Sequence, residues 1–160
     1  MTELSPENIN VSTWKIPSPL GIIGSHANGE FNGMTASWFT QISMDPALIG
    51  VGIDNKSVTF SLMDQSEYFT LNMFSPEYTK VFVKFSKPAE YTDGFLNKEP
   101  IFLTENKVPV FKNATVWFEL KTTQKIDFGT HTLFVGEIVE CKTLIPEERA
   151  AYMGDTRMKY

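Results

Sequence analysis

Residues 32–60 read NGMTASWFTQISMDPALIGVGIDNKSVTF and predict a strand, a turn, a second strand and the start of a helix. Asp45-Pro46 ends the first strand, because a residue before proline is pushed out of the helical region and Asx-Pro favours turns. The apolar run over residues 48–53 is typical of a buried strand. The chain is therefore expected to fold back on itself here as an antiparallel pair.

Polar side chains are regularly spaced along the first of these strands. Side chains alternate between the two faces of an extended chain, so Thr35, Ser37 and Ser43 share one face and place hydroxyl groups in a row. Ala36 and Trp38 fall on the opposite face. Threonine and serine are also common in ordinary strands, which leaves a purely structural role open.

A second cluster of polar side chains follows the second strand, at Asn55, Lys56, Ser57 and Thr59. Ser57 is a candidate N-cap for a helix over residues 57–64. Backbone N–H groups, two hydroxyls and one ammonium at a helix start are suited to binding a phosphate. Ordinary capping explains each residue taken singly, but the combination predicts a phosphate site.

Alternation and turn signals place the remaining elements. Strands are predicted over residues 20–25, 31–42, 48–53, 68–74, 114–126 and 130–144, with an Asn28-Gly29 hairpin turn after the first. Helices are predicted over residues 57–64 and from Pro76 onward, after a Ser75 cap. We expect residues 86–107 to be an irregular excursion, residues 1–13 to be partly ordered at best, and residues 146–160 to be helical and then irregular.

This order of elements predicts a mainly β fold, a six- to seven-stranded antiparallel Greek-key barrel with two or three short helices. Residues 1–160 have the length of a single domain, and the abrupt end after Tyr160 leaves a longer natural protein open. Neither GxGxxG nor GxxxxGK[ST] occurs in the sequence, so the Rossmann and P-loop modes of nucleotide binding are excluded.

Composition narrows the possible partners and compartments. The formal net charge of -5 argues against nucleic acid or an anionic membrane as the main partner. Cys141 is the only cysteine and is expected to be buried in a strand, so no internal disulfide is predicted. His26, His131 and Cys141 are scattered, which predicts no metal site. No signal peptide or membrane-spanning run is visible, which predicts a cytoplasmic protein.

Three segments resemble one protein family: MTASW at residues 34–38, YFTLNMFS at 68–75 and GTHTLFVGE at 129–137. In this order they resemble the flavin reductase-like, FMN-binding split-barrel proteins, above all the flavoredoxin and ferric-reductase-like branch and the flavin reductase modules of flavodiiron-type proteins. The resemblance implies a homodimeric split barrel that binds FMN and takes a hydride from NADH or NADPH. Electrons would pass to free flavin, ferric iron or a redox partner protein such as a rubredoxin or a flavodiiron protein.

The resemblance also implies roles for individual residues. His131, the catalytic candidate, would line the flavin or nicotinamide pocket and donate a hydrogen bond to the reduced flavin. Trp38 would contact the flavin ring, and Lys80 would reach the flavin phosphate as a point charge. The predicted cofactor-binding residues are Thr35, Ala36, Ser37, Trp38, Ser43, Asn55, Lys56, Ser57, Thr59, Asn72, Lys80 and His131.

Two other functions are compatible with a barrel of this kind. A flavin- or haem-binding electron carrier would share the fold without hydride turnover, and the fold alone does not exclude it. A pyridoxamine-phosphate-oxidase-like enzyme would use the same cofactor, although the MTASW and GTHTLFVGE segments point away from it. Consumption of NAD(P)H with and without added flavin separates these possibilities.

Overall fold

The computed structural model of the chain describes residues 4–158. Its α-helices are α1 Pro6–Thr13, α2 Val58–Asp64 and α3 Lys80–Lys84, with 3-10 turns at Pro76–Tyr78 and Met153–Asp155. Its strands are β1 Gly21–Ala27, β2 Glu30–Ala36, β3 Phe39–Met44, β4 Ala47–Asp54, β5 Tyr68–Met73, β6 Tyr91–Thr92, β7 Phe95–Leu96, β8 Glu99–Leu103, β9 Pro109–Phe111, β10 Val116–Asp127 and β11 His131–Thr143. No helix in this range is long and apolar enough to cross a membrane.

Seven strands form one antiparallel sheet in the order β2-β1-β5-β10-β11-β4-β3. Its two edge strands, β2 and β3, are consecutive in the sequence, and only Ser37 and Trp38 lie between them. The sheet therefore curls until its edges approach each other at these two residues. The prediction of a mainly β, antiparallel split barrel with short helices is confirmed.

The prediction of one continuous strand over residues 31–42 is wrong. β2 pairs with β1, whereas β3 pairs with β4 at the opposite edge of the sheet. The chain has to leave one edge and join the other, and it does so at Ser37 and Trp38. Alternation of side chains does not reveal this break, because both flanking segments remain extended. The predicted row of hydroxyls is thus divided between two strands.

Local turn and cap signals are confirmed. Asn28 and Gly29 have positive φ angles of 52° and 81°, as the tight turn between β1 and β2 requires. The hydroxyl of Ser57 accepts a hydrogen bond from the Phe60 backbone N–H at 3.0 Å and caps α2. β10 and β11 form the predicted long hairpin.

Three predictions about the less regular regions are wrong. Residues 6–13 form α1, because Ser5 caps it and Pro6 occupies its first turn; residues 1–3 lie outside the described part of the chain. The excursion over residues 86–107 contains β6, β7 and β8, which join β9 in a small second sheet. Two of these strands have two residues each, too few for alternation to be detected. The described part of the tail has a β-bridge between Tyr152 and Pro19 and the 3-10 turn at Met153–Asp155 in place of the predicted helix.

Two apolar clusters fill the interior. One lies inside the barrel and includes Phe69 and Phe134, and the other packs α3 against the small sheet through Phe82 and Phe111. Cys141 is exposed, which corrects the prediction that it is buried. The reason is that β11 pairs with β4 only as far as Glu137, so its last residues have β10 alone as a neighbour.

Candidate functional site

The end of β4 brings together three segments that are far apart in the sequence. The backbone N–H of Gly52 donates to the Trp38 carbonyl at 2.8 Å, which attaches the β2–β3 connection to β4. On the other side of β4, Asp54 lies opposite His131, the first residue of β11. The connection at residues 37–38, the loop after β4 and the turn before β11 are therefore neighbours.

Trp38 and His131 are in ring contact at this junction. Their ring centroids are 4.6 Å apart and their planes are inclined by 43°. Trp38 is 53% exposed and His131 is half-buried, so part of the aromatic surface faces solvent. The Nδ1 atom of His131 lies 3.0 Å from the Thr130 hydroxyl. An exposed flat surface beside a polar ring nitrogen is suited to a planar, polar-edged ligand.

Two clefts adjoin this part of the chain, one lined by Ser37 and the other by Trp38. Thr35, Ala36 and Ser37 line a cleft of about 260 Å³. The hydroxyl of Thr35 already donates to the Phe82 carbonyl at 2.6 Å, so it holds α3 against β2. A second cleft of about 700 Å³ separates α1 from Trp38. The two clefts together have the volume of a typical small-molecule site.

The side chains of the predicted phosphate cluster bond mainly to the protein itself. The Asn55 amide donates to Asp127 and to the Gly129 carbonyl, and the Ser57 hydroxyl donates to the Asp54 carbonyl at 2.8 Å. Lys56 is exposed, and its backbone N–H donates to the Asp54 carboxylate. The structure thus brings Asn55, Lys56 and Ser57 together as predicted, but leaves the lysine ammonium as the group best placed for an anion.

Two carboxylates also lie in this cluster, and they set its electrostatics. Hydrogen bonds from the Gly129 backbone N–H and then from the Asn55 amide hold the pKa of Asp127 below its ordinary value. Asp127 is consequently ionised at neutral pH. A phosphate bound here needs lysine charge to offset these carboxylates.

Thr59 and Asn72 have structural roles, which corrects their assignment to the cofactor. Thr59 is fully buried and accepts a hydrogen bond from Asn32 at 2.9 Å. Asn72 is fully buried, donates to the Ile22 carbonyl and accepts from the Phe111 backbone N–H. Their polar atoms have partners within the fold and do not face a cleft.

The last two predicted residues, Ser43 and Lys80, belong to β3 and α3 and not to the segments that carry the aromatic pair. Ser43 lies opposite Leu48 near the far end of β3, away from Trp38. Lys80 is the exposed first residue of α3, whose later residues contact Thr35 through backbone carbonyls. Phe85 and Ser86, which follow α3 directly, line the smaller cleft.

Sequence reasoning did not single out Asp127, Thr132 or the residues of α1 that face Trp38. The Asp127-Phe128-Gly129 turn was a visible signal, since aspartate and glycine favour turns, but its bond to Asn55 was not. In α1, Pro6, Ile9 and Thr13 recur at helical spacing and line the larger cleft. This helical spacing is the sequence signal from which α1 could have been predicted.

Curated relatives align with most of the chain. It is 31% identical over 122 residues to the stachydrine N-demethylase reductase subunit Stc3 of Rhizobium meliloti, covering 76% of this chain and 52% of that protein. The chain therefore spans about half the length of that relative. It is 30% identical over 152 residues to the ferric-chelate reductase (NAD(P)H) of Archaeoglobus fulgidus, covering 91% and 88%. A third relative, the high molecular weight rubredoxin of Moorella thermoacetica, is 27% identical over 138 residues, covering 83% and 59%.

Solved structures share the fold. The NADH:FAD oxidoreductase SgcE6 of Streptomyces globisporus superposes with a TM-score of 0.80 at 19% identity, covering 100% of this chain and 97% of that one. The FMN-binding protein of Thermus thermophilus superposes with a TM-score of 0.72 at 27% identity, covering 81% and 72%. The family model described as the flavin reductase like domain matches residues 13–159. The chain belongs to the flavin reductase like domain family.

Proposed function

We propose that this chain is an NAD(P)H:flavin oxidoreductase of the cytoplasm that holds FMN at the contact between Trp38 and His131. The observation that carries the proposal is this ring pair, 4.6 Å between centroids, beside the cleft lined by Thr35, Ala36 and Ser37. FMN, when bound, would supply the redox chemistry by accepting a hydride from NADH or NADPH and passing the electrons on. The names of the relatives above support the same activity.

The residues fit the ring of a flavin. The indole of Trp38 offers a flat, partly exposed surface for stacking. Ala36, the last residue of β2, has a small side chain that lets a ligand approach the backbone closely. Ser37 is 7% exposed at the mouth of the smaller cleft and adds a hydroxyl there.

The phosphate of FMN is assigned to the loop after β4, with Lys56 and Lys80 as its cations and Ser57 and Asn55 shaping the loop. Both lysines are exposed, and within residues 4–158 neither ammonium forms an ion pair. Their two positive charges would offset the carboxylates of Asp54 and Asp127. Ser43, on β3, would be a peripheral contact of the flavin.

His131 has one task in this proposal, which is to donate a hydrogen bond to the reduced flavin. We expect His131→Ala to slow reduction of the bound flavin by NADH about fivefold, since one hydrogen bond contributes on the order of 1 kcal/mol. Anaerobic single-turnover kinetics measure this rate. His26→Ala is the matched control, because His26 stacks on Phe31 and lies apart from Trp38. An unchanged rate in His131→Ala would contradict the assignment.

The electron acceptor is proposed to be free flavin, ferric iron or a redox partner protein such as a rubredoxin or a flavodiiron protein. One relative is named a ferric-chelate reductase and another a rubredoxin, and both align with more than four-fifths of this chain. The proposal is tested by following NADH and NADPH consumption with and without added flavin, and then with each acceptor in turn. Absence of consumption under every condition would refute it.

We also propose a homodimer. Phe39, Phe118 and Ile138 line an apolar groove of about 520 Å³ at the barrel, and Met44 and Val139 are 84% and 47% exposed. Exposed apolar surface of this kind is typical of an interface between subunits. Sedimentation velocity at micromolar concentration should show a dimer. A monomer that still binds flavin would overturn this assignment.

A further inference from the structure

The side chain of Asn55 connects the end of β4 to the turn before β11. Its Nδ2 atom donates to Asp127 Oδ1 at 3.1 Å and to the Gly129 carbonyl at 3.1 Å, and its Oδ1 atom accepts from the Thr132 hydroxyl at 2.7 Å. Its backbone N–H donates to the Thr130 carbonyl at 3.0 Å. Both amide hydrogens and the amide oxygen are therefore used within the protein.

These bonds enclose His131 on both sides. Thr130 and Thr132 are its neighbours in the chain, and Asp127 and Gly129 form the turn that leads to it. Asp127 also accepts a hydrogen bond from the Gly129 backbone N–H at 2.8 Å, which closes the turn on itself. The position of His131 relative to β4 is therefore set by its pairing opposite Asp54 and by the contacts of Asn55 with the turn before it.

The ring that contacts His131 is attached to the same strand. The carbonyl of Trp38 accepts a hydrogen bond from Gly52 in β4, and Asn55 follows the end of β4 directly. Both rings are therefore attached to β4 through neighbouring backbone or side-chain contacts. Gly52 holds the backbone of Trp38, and Asn55 holds the turn that precedes His131.

We propose that Asn55 is a positioning residue whose amide holds the turn over residues 127–132 so that the His131 imidazole lies against the Trp38 indole. This inference rests on the proposed function only for the role of His131 beside a flavin. It gives the Asn55 side chain a task different from binding phosphate. The loop contacts the phosphate through its other groups, while the amide sets the geometry of the ring pair.

Tryptophan fluorescence of the flavin-free protein tests this directly. A protonated imidazole in contact with an indole quenches its emission, so the contact produces a step in tryptophan fluorescence when the pH is lowered. We expect the step in the unsubstituted protein and its loss in His131→Ala and Trp38→Phe. In Asn55→Ala the amplitude should fall severalfold, because the turn loses the bonds that hold it.

Two further variants separate positioning from folding. Asn106→Ala is the matched control, since it also removes an amide that donates to a carboxylate, that of Glu119 at 3.0 Å; its step should be unchanged. Thr132→Val removes only the hydroxyl that donates to Asn55 and should lower the amplitude less than Asn55→Ala does. If Asn55→Ala does not fold, Thr132→Val still tests the positioning role.

Exchanging the amide and the carboxylate between positions 55 and 127 should rescue the fluorescence step. Asn55→Asp alone removes both donors and places a carboxylate beside Asp127, so the step should be lost. In the double variant Asn55→Asp/Asp127→Asn, the amide introduced at position 127 can donate to the carboxylate introduced at position 55. We expect this double variant to recover much of the step.

The result that overturns the inference is a step of full amplitude in folded Asn55→Ala, or no step in the unsubstituted protein. Parallel titrations with FMN and riboflavin keep this test separate from the proposed function. If Asn55→Ala keeps the step but binds FMN more weakly while binding riboflavin normally, the amide is a phosphate ligand and the positioning role is wrong. If no variant binds flavin, the proposed function fails, and the fluorescence step still decides the role of Asn55.

Discussion

The double variant Lys56→Ala/Lys80→Ala is expected to bind FMN about tenfold or more weakly, while its affinity for riboflavin changes little. FMN and riboflavin differ by the phosphate, so a loss confined to FMN places that group at the lysines. The expected size follows from removing two charged contacts to a dianion in a cluster that retains the carboxylates of Asp54 and Asp127. Fluorescence or calorimetric titration with both ligands measures it.

The control for this variant is Lys112→Ala/Lys142→Ala, which removes the same charge from two other exposed positions. Its FMN affinity should match that of the unsubstituted protein, which separates a local contact from a general change in net charge. Raising the salt concentration should weaken FMN binding in the control and much less in the Lys56→Ala/Lys80→Ala variant. Equal weakening of FMN and riboflavin would contradict the phosphate assignment.

The substitution Gly24→Ala is expected to lower the free energy of unfolding by about 3 kcal/mol or more, or to prevent folding. A Cβ atom at position 24 in β1 would overlap the Thr70 hydroxyl and the Pro109 carbonyl. These two groups are hydrogen-bonded to each other at 2.6 Å and join β5 to β9. The methyl group would therefore break a buried bond between the barrel and the small sheet.

Urea denaturation measures the loss, which is large relative to the total stability of an ordinary domain. Gly52→Ala is the matched control, because Gly52 is also a strand glycine and an added Cβ would come no closer than 3.5 Å to the Trp38 side chain. That is ordinary van der Waals contact, so its stability should change little. Gly24→Ala with unchanged stability would show that β1 and β9 are packed less closely than described.

Much of the fold could be predicted because its signals are local. The Asn28-Gly29 turn, the Ser57 cap and the alternation along β10 and β11 each depend on a few adjacent residues. The break at residues 37–38 could not be predicted in this way. It arises because β2 and β3 pair with different strands, and the choice of strand partner is a property of the whole sheet.

The same difference between local and tertiary signals explains which residues of the candidate site could be predicted. Trp38 and His131 could be chosen from short motifs, and the structure brings them into contact. Thr59 and Asn72 are among the predicted cofactor-binding residues, but each is buried and bonded to a residue distant in the sequence. Whether a polar side chain binds a ligand or forms hydrogen bonds within the fold depends on its tertiary neighbours. These neighbours are not visible in a single sequence.

The central claim is that the chain binds FMN and reduces it with a nicotinamide nucleotide, and anaerobic mixing tests it most directly. The FMN-loaded protein is mixed with NADH or NADPH without oxygen, and the visible absorbance of the oxidised flavin is followed. We predict that at least one nucleotide removes this absorbance and that added acceptor restores it. Dithionite is the control that shows the bound flavin to be reducible. Flavin that dithionite bleaches but that both nucleotides leave oxidised would contradict the account and favour an electron carrier reduced by another protein.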